Sequence, residues 1–281
     1  MKNNIFEFIF STFHSTFEFM SSNLSNYQEF SRSLSKQIQV KEGGNIQYSF
    51  DVELDRIIKN KIKEFNISGK IFSEESGFFE FGNNEYRVVY DPFCNSSLAS
   101  KTFHEAAVGI SIFGYDYGFI TSAIMDYQTG IVAIVEGDKT NYYQIQTSEK
   151  IVFDNPAHDD LENSWVVATL ESQEERKGLN KLNEILQKSK RIIISSGHIY
   201  WLKLAIGFVD AYLDPIGGEA LYEMFAAAVA QKAGCVVTDL SGKPFDATDN
   251  LKEFENNRNF TYYPVAARTL KLHTELLRSL S

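Results

Sequence analysis

The stretch Tyr86–Ser97, YRVVYDPFCNSS, decides how the rest of the chain is interpreted. Its centre, Val88–Tyr90, is a short apolar run, which predicts a buried strand. Asp91 follows directly, at the position where layered α/β folds place ligand-binding groups. Pro92 then fixes the direction in which the chain leaves the strand. The sequence therefore predicts functional side chains at this strand end.

A second acidic turn lies upstream of that strand. The segment Ser73–Gly77, SEESG, follows its own short apolar run at Lys70–Phe72. Carboxylate oxygens are the ligands that Mg²⁺ prefers in proteins. Two acidic turns at strand ends therefore indicate a divalent-cation site.

These two motifs carry a resemblance to a known family. With Glu74-Glu75-Ser76 and Asp91-Pro92-x-x-x-Ser-Ser, the chain resembles the inositol monophosphatases and their fructose-bisphosphatase relatives. Their motif reads Asp-Pro-hydrophobic-Asp-Gly-Thr/Ser, whereas this chain has Cys94 for the second Asp and Asn95 for the Gly. The resemblance runs from the helix near Asp51 to the end of the chain. It implies a sugar-phosphatase-like, layered α/β fold in the order α-β-α-β-α.

Composition limits the classes of function. The 281 residues are 43% apolar, so the chain can bury a large core. A net charge of −10, from 27 basic and 37 acidic residues, argues against a nucleic-acid or membrane partner. The two cysteines, Cys94 and Cys235, lie far apart, which favours a reducing, cytoplasmic location. No stretch approaches the roughly 18 apolar residues of a membrane span.

The first half of the chain reads as helices followed by strands. A broad apolar stripe at helical spacing predicts a helix over residues 1–20; its members are Phe6, Ile9, Phe10, Phe13, Phe17 and Met20. A second helix is predicted to begin near Asp51, where acidic residues suit the positive end of the helix dipole. Short β-rich runs separated by glycine and aspartate turns then predict an antiparallel meander.

The second half alternates strands and helices, which predicts an α/β arrangement. The alanines of Ala226–Ala230 favour a helix, and the resemblance implies that this helix opens at Tyr222-Glu223. Thr261–Ala266 reads as a last strand, and Leu270–Leu280 as an amphipathic helix. The polar loop Asn155–Ser164 separates the halves. We therefore expect units at 1–155 and 156–281, or one continuous domain.

The resemblance implies two cation positions of unequal quality. Glu74, Asp91 and the backbone carbonyl of Phe93 would hold the first. Asp91, Cys94 and Glu223 would share the second, where cysteine is a poor ligand for Mg²⁺ and leaves the position open or favours a softer metal such as Zn²⁺. A thiol with no metal role is the alternative. One well-formed Mg²⁺ site is therefore expected.

The resemblance also implies catalytic and phosphate-binding residues. Asp51 would help to position the attacking water, although the same residue suits an ordinary helix cap. Glu74 and Ser96 would join Asp51 in catalysis. The backbone N–H groups of Asn95, Ser96 and Ser97 would hold the phosphate, with Asn95 adopting the positive φ that glycine otherwise supplies. A simple turn composition is the alternative for these three residues.

On the substrate side, the resemblance implies that Asp214 binds a sugar or inositol hydroxyl and that Ser196 belongs to a small-residue turn that faces the ligand. Two functions stay open at this point. One is a divalent-metal-dependent phosphomonoesterase that acts on a small phosphorylated polyol or sugar and has an altered second metal site. The other is a catalytically impaired relative that binds a ligand or partner. The sequence leaves open the phosphate ester, the metal and the oligomeric state, a homodimer included.

Overall fold

The computed structural model describes residues 2–24, 37–40, 46–96, 105–170, 176 and 179–280. The chain divides into two compact units: Met1–Ala133 with Tyr142–Ile151, and Ile134–Asn141 with Val152–Ser281. The boundary after residue 155 stays a prediction of the sequence.

Helices occur in both units. In chain order, the described α-helices are α1 (Lys2–Leu24), α2 (Ser49–Glu64), α3 (Asn183–Lys188), α4 (His198–Ile206), α5 (Leu221–Met224), α6 (Ala227–Lys232), α7 (Ala247–Asn256) and α8 (Leu270–Leu280). Short 3₁₀ helices lie at Leu161–Asn163 and Leu179–Leu182.

The strands of the first half are β1 (Gln37–Val40), β2 (Ile46–Tyr48), β3 (Gly69–Ser73), β4 (Gly77–Phe81), β5 (Tyr86–Cys94), β6 (Ala107–Gly114), β7 (Phe119–Asp126), β8 (Ile131–Glu136), β9 (Lys139–Gln144) and β10 (Lys150–Ile151). Those of the second half are β11 (Trp165–Ala168), β12 (Arg191–Ile194), β13 (Ala211–Leu213), β14 (Val236–Asp239) and β15 (Pro264–Ala267).

Over the described ranges these strands form three sheets. β1 and β2 pair alone, and the larger sheet has eight strands in the order β10-β9-β8-β7-β6-β5-β3-β4. The third has five strands in the order β12-β11-β13-β15-β14. Mixed sheets with helices confirm the layered α/β class that the sequence predicts.

One side of the larger sheet, next to its edge strand β4, depends on the pairing of β3 with β5. These two strands run parallel, while β4 pairs with β3 and β6 with β5 in the antiparallel sense. Gly69 makes the approach possible, because a Cβ there would lie 1.9 Å from the carbonyl oxygen of Tyr86. Its φ of +148° is also a conformation that L side chains rarely adopt. All nine residues of β5 are buried, as expected for a strand inside a sheet.

Helix α1 packs against α2 with part of the predicted stripe. Three residues of that stripe, Ile9, Phe13 and Met20, are buried, whereas its other members, Phe6, Phe10 and Phe17, are half-buried. Phe8, which the predicted stripe did not include, is also fully buried.

Two predicted elements need correction. Strand β5 continues through Asp91 to Cys94, with a register shift against β6 between these two residues, so Asp91 precedes a bulge and does not end the strand. The alanine-rich segment forms α5 and α6, not one helix. Between them Ala226 N–H donates to the Glu223 carbonyl and Val229 N–H to that of Ala226, the tighter 3₁₀ pattern that interrupts an α-helix.

Other differences are smaller. The last strand begins at Pro264, three residues later than the sequence indicates. The sequence interpretation missed β1, β2, β4, β10 and α7. For α7 a signal was present, because Asp246 caps this helix by accepting a hydrogen bond from the Asp249 N–H at 2.9 Å. The helix at Leu270–Leu280 is confirmed at both ends.

The five-stranded sheet builds the core of the second unit. β12, β11 and β13 run parallel, and β15 is antiparallel to both β13 and β14. Fully buried side chains from these strands and α8 form one cluster, which includes Val166, Leu213, Val265, Leu272 and Leu276. Among the described residues, no helix is both long and apolar enough to cross a membrane.

Helix α8 offers a matched pair for testing this core. Leu276→Ala should lower the free energy of unfolding by about 2–5 kcal/mol, because Leu276 is fully buried. Leu270→Ala, in the same helix, should change it by less than about 0.5 kcal/mol, because 67% of that side chain is exposed. Urea denaturation of both variants measures the difference. Equal losses would contradict the assigned core face of α8.

Candidate active site

Two acidic segments meet at one edge of the larger sheet because β3 and β5 run parallel. Their register pairs Ser73 with Tyr90, so the residues that follow, Glu74 and Asp91, lie side by side, with Asp91 still paired to β6. The N–H of Glu74 donates to the carbonyl oxygen of Tyr90 at 3.1 Å, which extends the pairing by one step. The carboxyl ends of parallel strands are a recurrent place for ligand sites.

Asp51 comes to the same region from the first turn of α2. Its side chain is fully buried, and its Oδ2 accepts a hydrogen bond from the backbone N–H of Tyr48 at 2.8 Å. Its Oδ1 is also buried and has no hydrogen-bond partner among the described residues. A buried carboxylate oxygen without a partner is costly. The predicted cap is therefore present on one oxygen, and the other is available for a further contact.

The pKa of Asp51 shows that other acidic groups lie near it. It is raised to about 9, mainly by burial and also by the negative charges of Glu75, Asp91 and Glu74, while the hydrogen bond from the Tyr48 N–H lowers it in part. Four carboxyl groups therefore share a small region of the first unit, three of which the sequence singled out. Such a group needs a bound proton or a cation to offset its charge.

Glu75 is the member of this group to which the sequence interpretation gave no role. It is half-buried, and the side-chain amide of Gln47 donates a hydrogen bond to its carboxylate. The doublet Glu74-Glu75 was visible in the sequence. Which of its two side chains faces Asp51 depends on the turn geometry.

The backbone after Asp91 is folded back onto its own carboxylate. Asp91 is 4% exposed, and its Oδ1 accepts a hydrogen bond from the N–H of Phe93 at 2.9 Å. The ring of Phe93 lies between those of Phe50 and Tyr127, with centroids 4.6 Å and 5.1 Å away. These contacts fix both the carboxylate and the Phe93 peptide that the sequence assigned to a cation.

The altered part of the motif keeps a glycine-like backbone. Asn95 has a φ of +69°, the left-handed conformation that asparagine tolerates better than most residues, as expected. Its side-chain amide donates to the carbonyl oxygen of Glu105 at 3.1 Å. Cys94 is buried, 3% exposed, and is not part of a disulfide. Ser96 is half-buried, whereas Ser97 lies outside the described residues.

Three of the predicted site residues belong to the second unit. Asp214 is 3% exposed, and its Oδ1 accepts a hydrogen bond from the N–H of Gly217 at 3.0 Å, so it orders its own loop. Ser196 follows β12, and Glu223 lies in α5, and both are half-buried. The convergence of Glu223 with Glu74 and Asp91 stays a prediction.

The second unit also contains an acidic residue that the sequence interpretation missed. Glu219 is 2% exposed, its Oε1 accepts a hydrogen bond from the indole N–H of Trp201 at 2.8 Å, and its Oε2 has no hydrogen-bond partner in the described part of the chain. Burial raises the pKa of Glu219 well above its ordinary value, and the charges of Glu223 and Asp214 add to this. The Gly-Gly-Glu loop gave no signal that this side chain turns inward.

No family model and no curated protein matches the sequence. Solved structures do match. The extragenic suppressor protein SuhB from Bartonella henselae superimposes with a TM-score of 0.78 at 16% identity, over 99% of this chain and 98% of that one. The Thermotoga maritima IMPase gives 0.74 at 15%, over 98% and 96%. The inositol monophosphate-bound SaIMPase-II gives 0.70 at 12%, over 98% and 94%.

The chain has the fold of the inositol monophosphatases. The similarity extends over nearly the full length of each of these chains. Because the sequence identities are low, it shows a shared fold and not shared site residues. The residues of the acidic site must therefore be judged by their own chemistry.

The raised pKa of Asp51 predicts how stability depends on pH when divalent cations are absent. Between the ordinary value of 3.8 and about 9, folded Asp51 keeps a proton that the unfolded chain has released. The free energy of unfolding should therefore fall as pH rises through this range, and should level off above it. Asp51→Asn removes this titration. The free energy of unfolding of the parent should therefore fall more steeply with pH than that of the variant, by up to about 1.4 kcal/mol per pH unit.

Urea denaturation from pH 6 to pH 9 with a chelator measures both slopes. Glu53→Gln is the control. Glu53 lies on the same helix, but its carboxylate forms an ion pair with Arg56 at 2.8 Å and is not among the charges that raise the pKa of Asp51. Parallel curves for the parent and Asp51→Asn would show that Asp51 does not carry the proton.

Proposed function

We propose that this protein is a divalent-metal-dependent phosphomonoesterase that acts on a small phosphorylated polyol or sugar. The observation that carries the proposal is the group of carboxylates from Asp51, Glu74 and Asp91 at the edge of the larger sheet, in a chain with this fold. One protein of this fold, SaIMPase-II, was crystallised with inositol monophosphate bound.

The residues present fit a hard divalent cation. The buried Oδ1 of Asp51 has no hydrogen-bond partner in the described part of the chain. The pKa of Asp51 is raised mainly by burial and also by the neighbouring carboxylates. A cation would offset this charge, and oxygen donors are what Mg²⁺ takes. Glu74, Asp91 and the Phe93 carbonyl would hold it.

The residues at the second cation position are poorer ligands for Mg²⁺. Asp91, Cys94 and Glu223 would share that position, and a thiol is a soft donor that Mg²⁺ does not favour. The proposal therefore includes one well-formed Mg²⁺ site and an altered second one.

When bound, such a cation offsets negative charge on the phosphoryl oxygens and makes water a better nucleophile. The chain's own residues would supply the rest of the chemistry. Asp51 and Ser96 would orient the water and hold its proton, with Glu74 beside them. The N–H groups of the turn at Asn95–Ser97 would bind the phosphate. Ser196 and Asp214 would bind substrate hydroxyl groups.

The second candidate function is a relative without catalysis that binds a phosphorylated ligand or a partner. Cys94 favours it, because a buried thiol stands where the related motif has an aspartate. Hydrolysis separates the two candidates. The cytoplasmic location proposed from the composition is compatible with either of them.

The test is hydrolysis of a panel of inositol and sugar monophosphates with and without Mg²⁺. Activity should require Mg²⁺, and Asp91→Asn should lower kcat/KM by about 10²- to 10³-fold, because a charge-stabilising element is lost. Glu53→Gln should leave it unchanged. Titration calorimetry should find one Mg²⁺ site per chain.

Two equivalent, tight Mg²⁺ sites would contradict the altered second position. A chain that binds Mg²⁺ and hydrolyses nothing in the panel would favour the ligand-binding candidate.

The altered motif allows a test by repair. Cys94→Asp with Asn95→Gly should create a second Mg²⁺ site and raise hydrolysis by about 10²-fold. Glycine keeps the φ of +69° without strain, and aspartate supplies the missing oxygen ligand. The two changes should be non-additive, because both act on one transition state.

Calorimetry and steady-state kinetics of the single and double variants measure this. If the parent already hydrolyses one ester efficiently and the repair lowers that rate, Cys94 and Asn95 are adaptations to a different substrate.

A further inference from the structure

Asp55 is a buried carboxylate outside the group that the proposed mechanism uses. It lies one helical turn after Asp51 in α2 and is 6% exposed. Its Oδ1 accepts hydrogen bonds from three hydroxyl groups: those of Tyr90 at 2.6 Å, Ser73 at 2.6 Å and Ser76 at 3.3 Å. Short O–H···O⁻ bonds of this kind are roughly twice as strong as those between neutral groups.

The hydroxyl of Ser73 links Asp55 to the backbone of the acidic turn. While it donates to Asp55, its oxygen accepts hydrogen bonds from the backbone N–H groups of Glu75 and Ser76, both at 3.2 Å. The N–H of Glu74 is held separately by the Tyr90 carbonyl at 3.1 Å. The backbone N–H groups of Glu74, Glu75 and Ser76 are therefore all held by Ser73 or Tyr90, and the side chains of these two residues donate hydrogen bonds to Asp55.

The three hydroxyl donors belong to the segments that carry the site carboxylates. Ser73 and Ser76 flank Glu74 and Glu75, and Tyr90 immediately precedes Asp91. Asp55 itself shares a helix face with Asp51. One carboxylate therefore connects all three segments of the acidic site.

The second oxygen of Asp55 is satisfied in a different way. Its Oδ2 forms an ion pair with the ammonium group of Lys59 at 2.8 Å, one turn further along α2. The ammonium also lies over the ring of Phe79 in β4, 5.1 Å from its centroid. Both oxygens of Asp55 therefore have partners, as a buried carboxylate requires.

This connection has a physical consequence for the site. Like charges at short range repel one another, so the segments that carry Asp51, Glu74 and Asp91 would move apart if nothing held them. We propose that Asp55 is a positioning residue that holds these carboxylates at the separation needed to bind one divalent cation. The inference rests on the proposed function, because it assumes that this group of carboxylates is a cation site.

Binding of Mn²⁺ by the full chain tests the inference without relying on activity. Electron paramagnetic resonance reports free Mn²⁺, which here replaces Mg²⁺ as the probe, in the absence of substrate. Asp55→Asn should raise the Kd for Mn²⁺ by about 10- to 100-fold, the usual effect of removing a group that orients a ligand. Glu53→Gln, the matched control on the same helix, should leave the Kd unchanged.

Tyr90→Phe is the milder variant, for use if Asp55→Asn does not fold. It removes one hydroxyl donor and leaves the ring in place, so the Kd should rise by about five-fold, the value of one hydrogen bond. In the metal-free protein, hydrogen exchange of the Glu75 and Ser76 amides should become faster in Asp55→Asn, because the Ser73 hydroxyl is no longer held.

The outcomes separate the two proposals. A parent chain that does not bind Mn²⁺ would overturn the proposed metal site and the positioning role with it. A parent that binds Mn²⁺, with folded variants that bind it equally well, would overturn the positioning role alone. Variants that lose stability in urea but keep the parent's Kd would show that Asp55 only anchors the fold, and would also overturn it.

Discussion

The parallel pairing of β3 with β5 is the constraint on which the candidate site depends. It brings the ends of two separate chain segments to the same edge of the sheet, so that Glu74 and Asp91 emerge as neighbours. The pairing depends in turn on Gly69, since any side chain there would collide with the Tyr86 carbonyl. A residue with no functional group thus sets the position of two carboxylates.

The acidic group that results carries an energetic cost, and the local structure offsets part of it. Asp51 is fully buried, with one oxygen satisfied by the Tyr48 N–H at the start of α2, where the helix dipole favours negative charge. Asp91 is oriented by the Phe93 N–H. These bonds fix carboxylates that would otherwise repel one another. The candidate site is therefore pre-organised for the positive charge that the proposed function assigns to it.

The altered motif at Cys94 and Asn95 separates loop shape from ligand chemistry. Asn95 adopts a left-handed backbone and is tied to the Glu105 carbonyl, so the turn that glycine usually permits is retained. Cys94 is buried in the strand, and in the proposed site it would place a soft sulfur where the motif that the sequence resembles has a hard oxygen donor. In that proposal, the motif differs more in what the site would bind than in how the chain turns.

Local patterns in the sequence determined much of this protein. Apolar runs predicted most of the strands, periodic apolar stripes predicted the long helices, and the acidic turns that follow apolar runs marked Glu74 and Asp91 as candidate ligands. The place of Asp51 at the start of a helix predicted a cap, and its catalytic role was implied by the family resemblance. Each of these signals depends on residues close together in the chain, and the layered α/β class follows from their order.

Only the tertiary structure decided the remaining features, because each depends on contacts between residues far apart in sequence. The parallel register of β3 and β5 and the extension of β5 to Cys94 depend on pairing with other strands. Asp55 stands between Leu54 and Ile58 on an apolar helix face, a visible signal, but its role required the hydroxyls of Ser73 and Tyr90 to meet it. Hydrophobic patterning specifies which side of an element is buried. Which polar groups meet there is set by the packing of the folded chain.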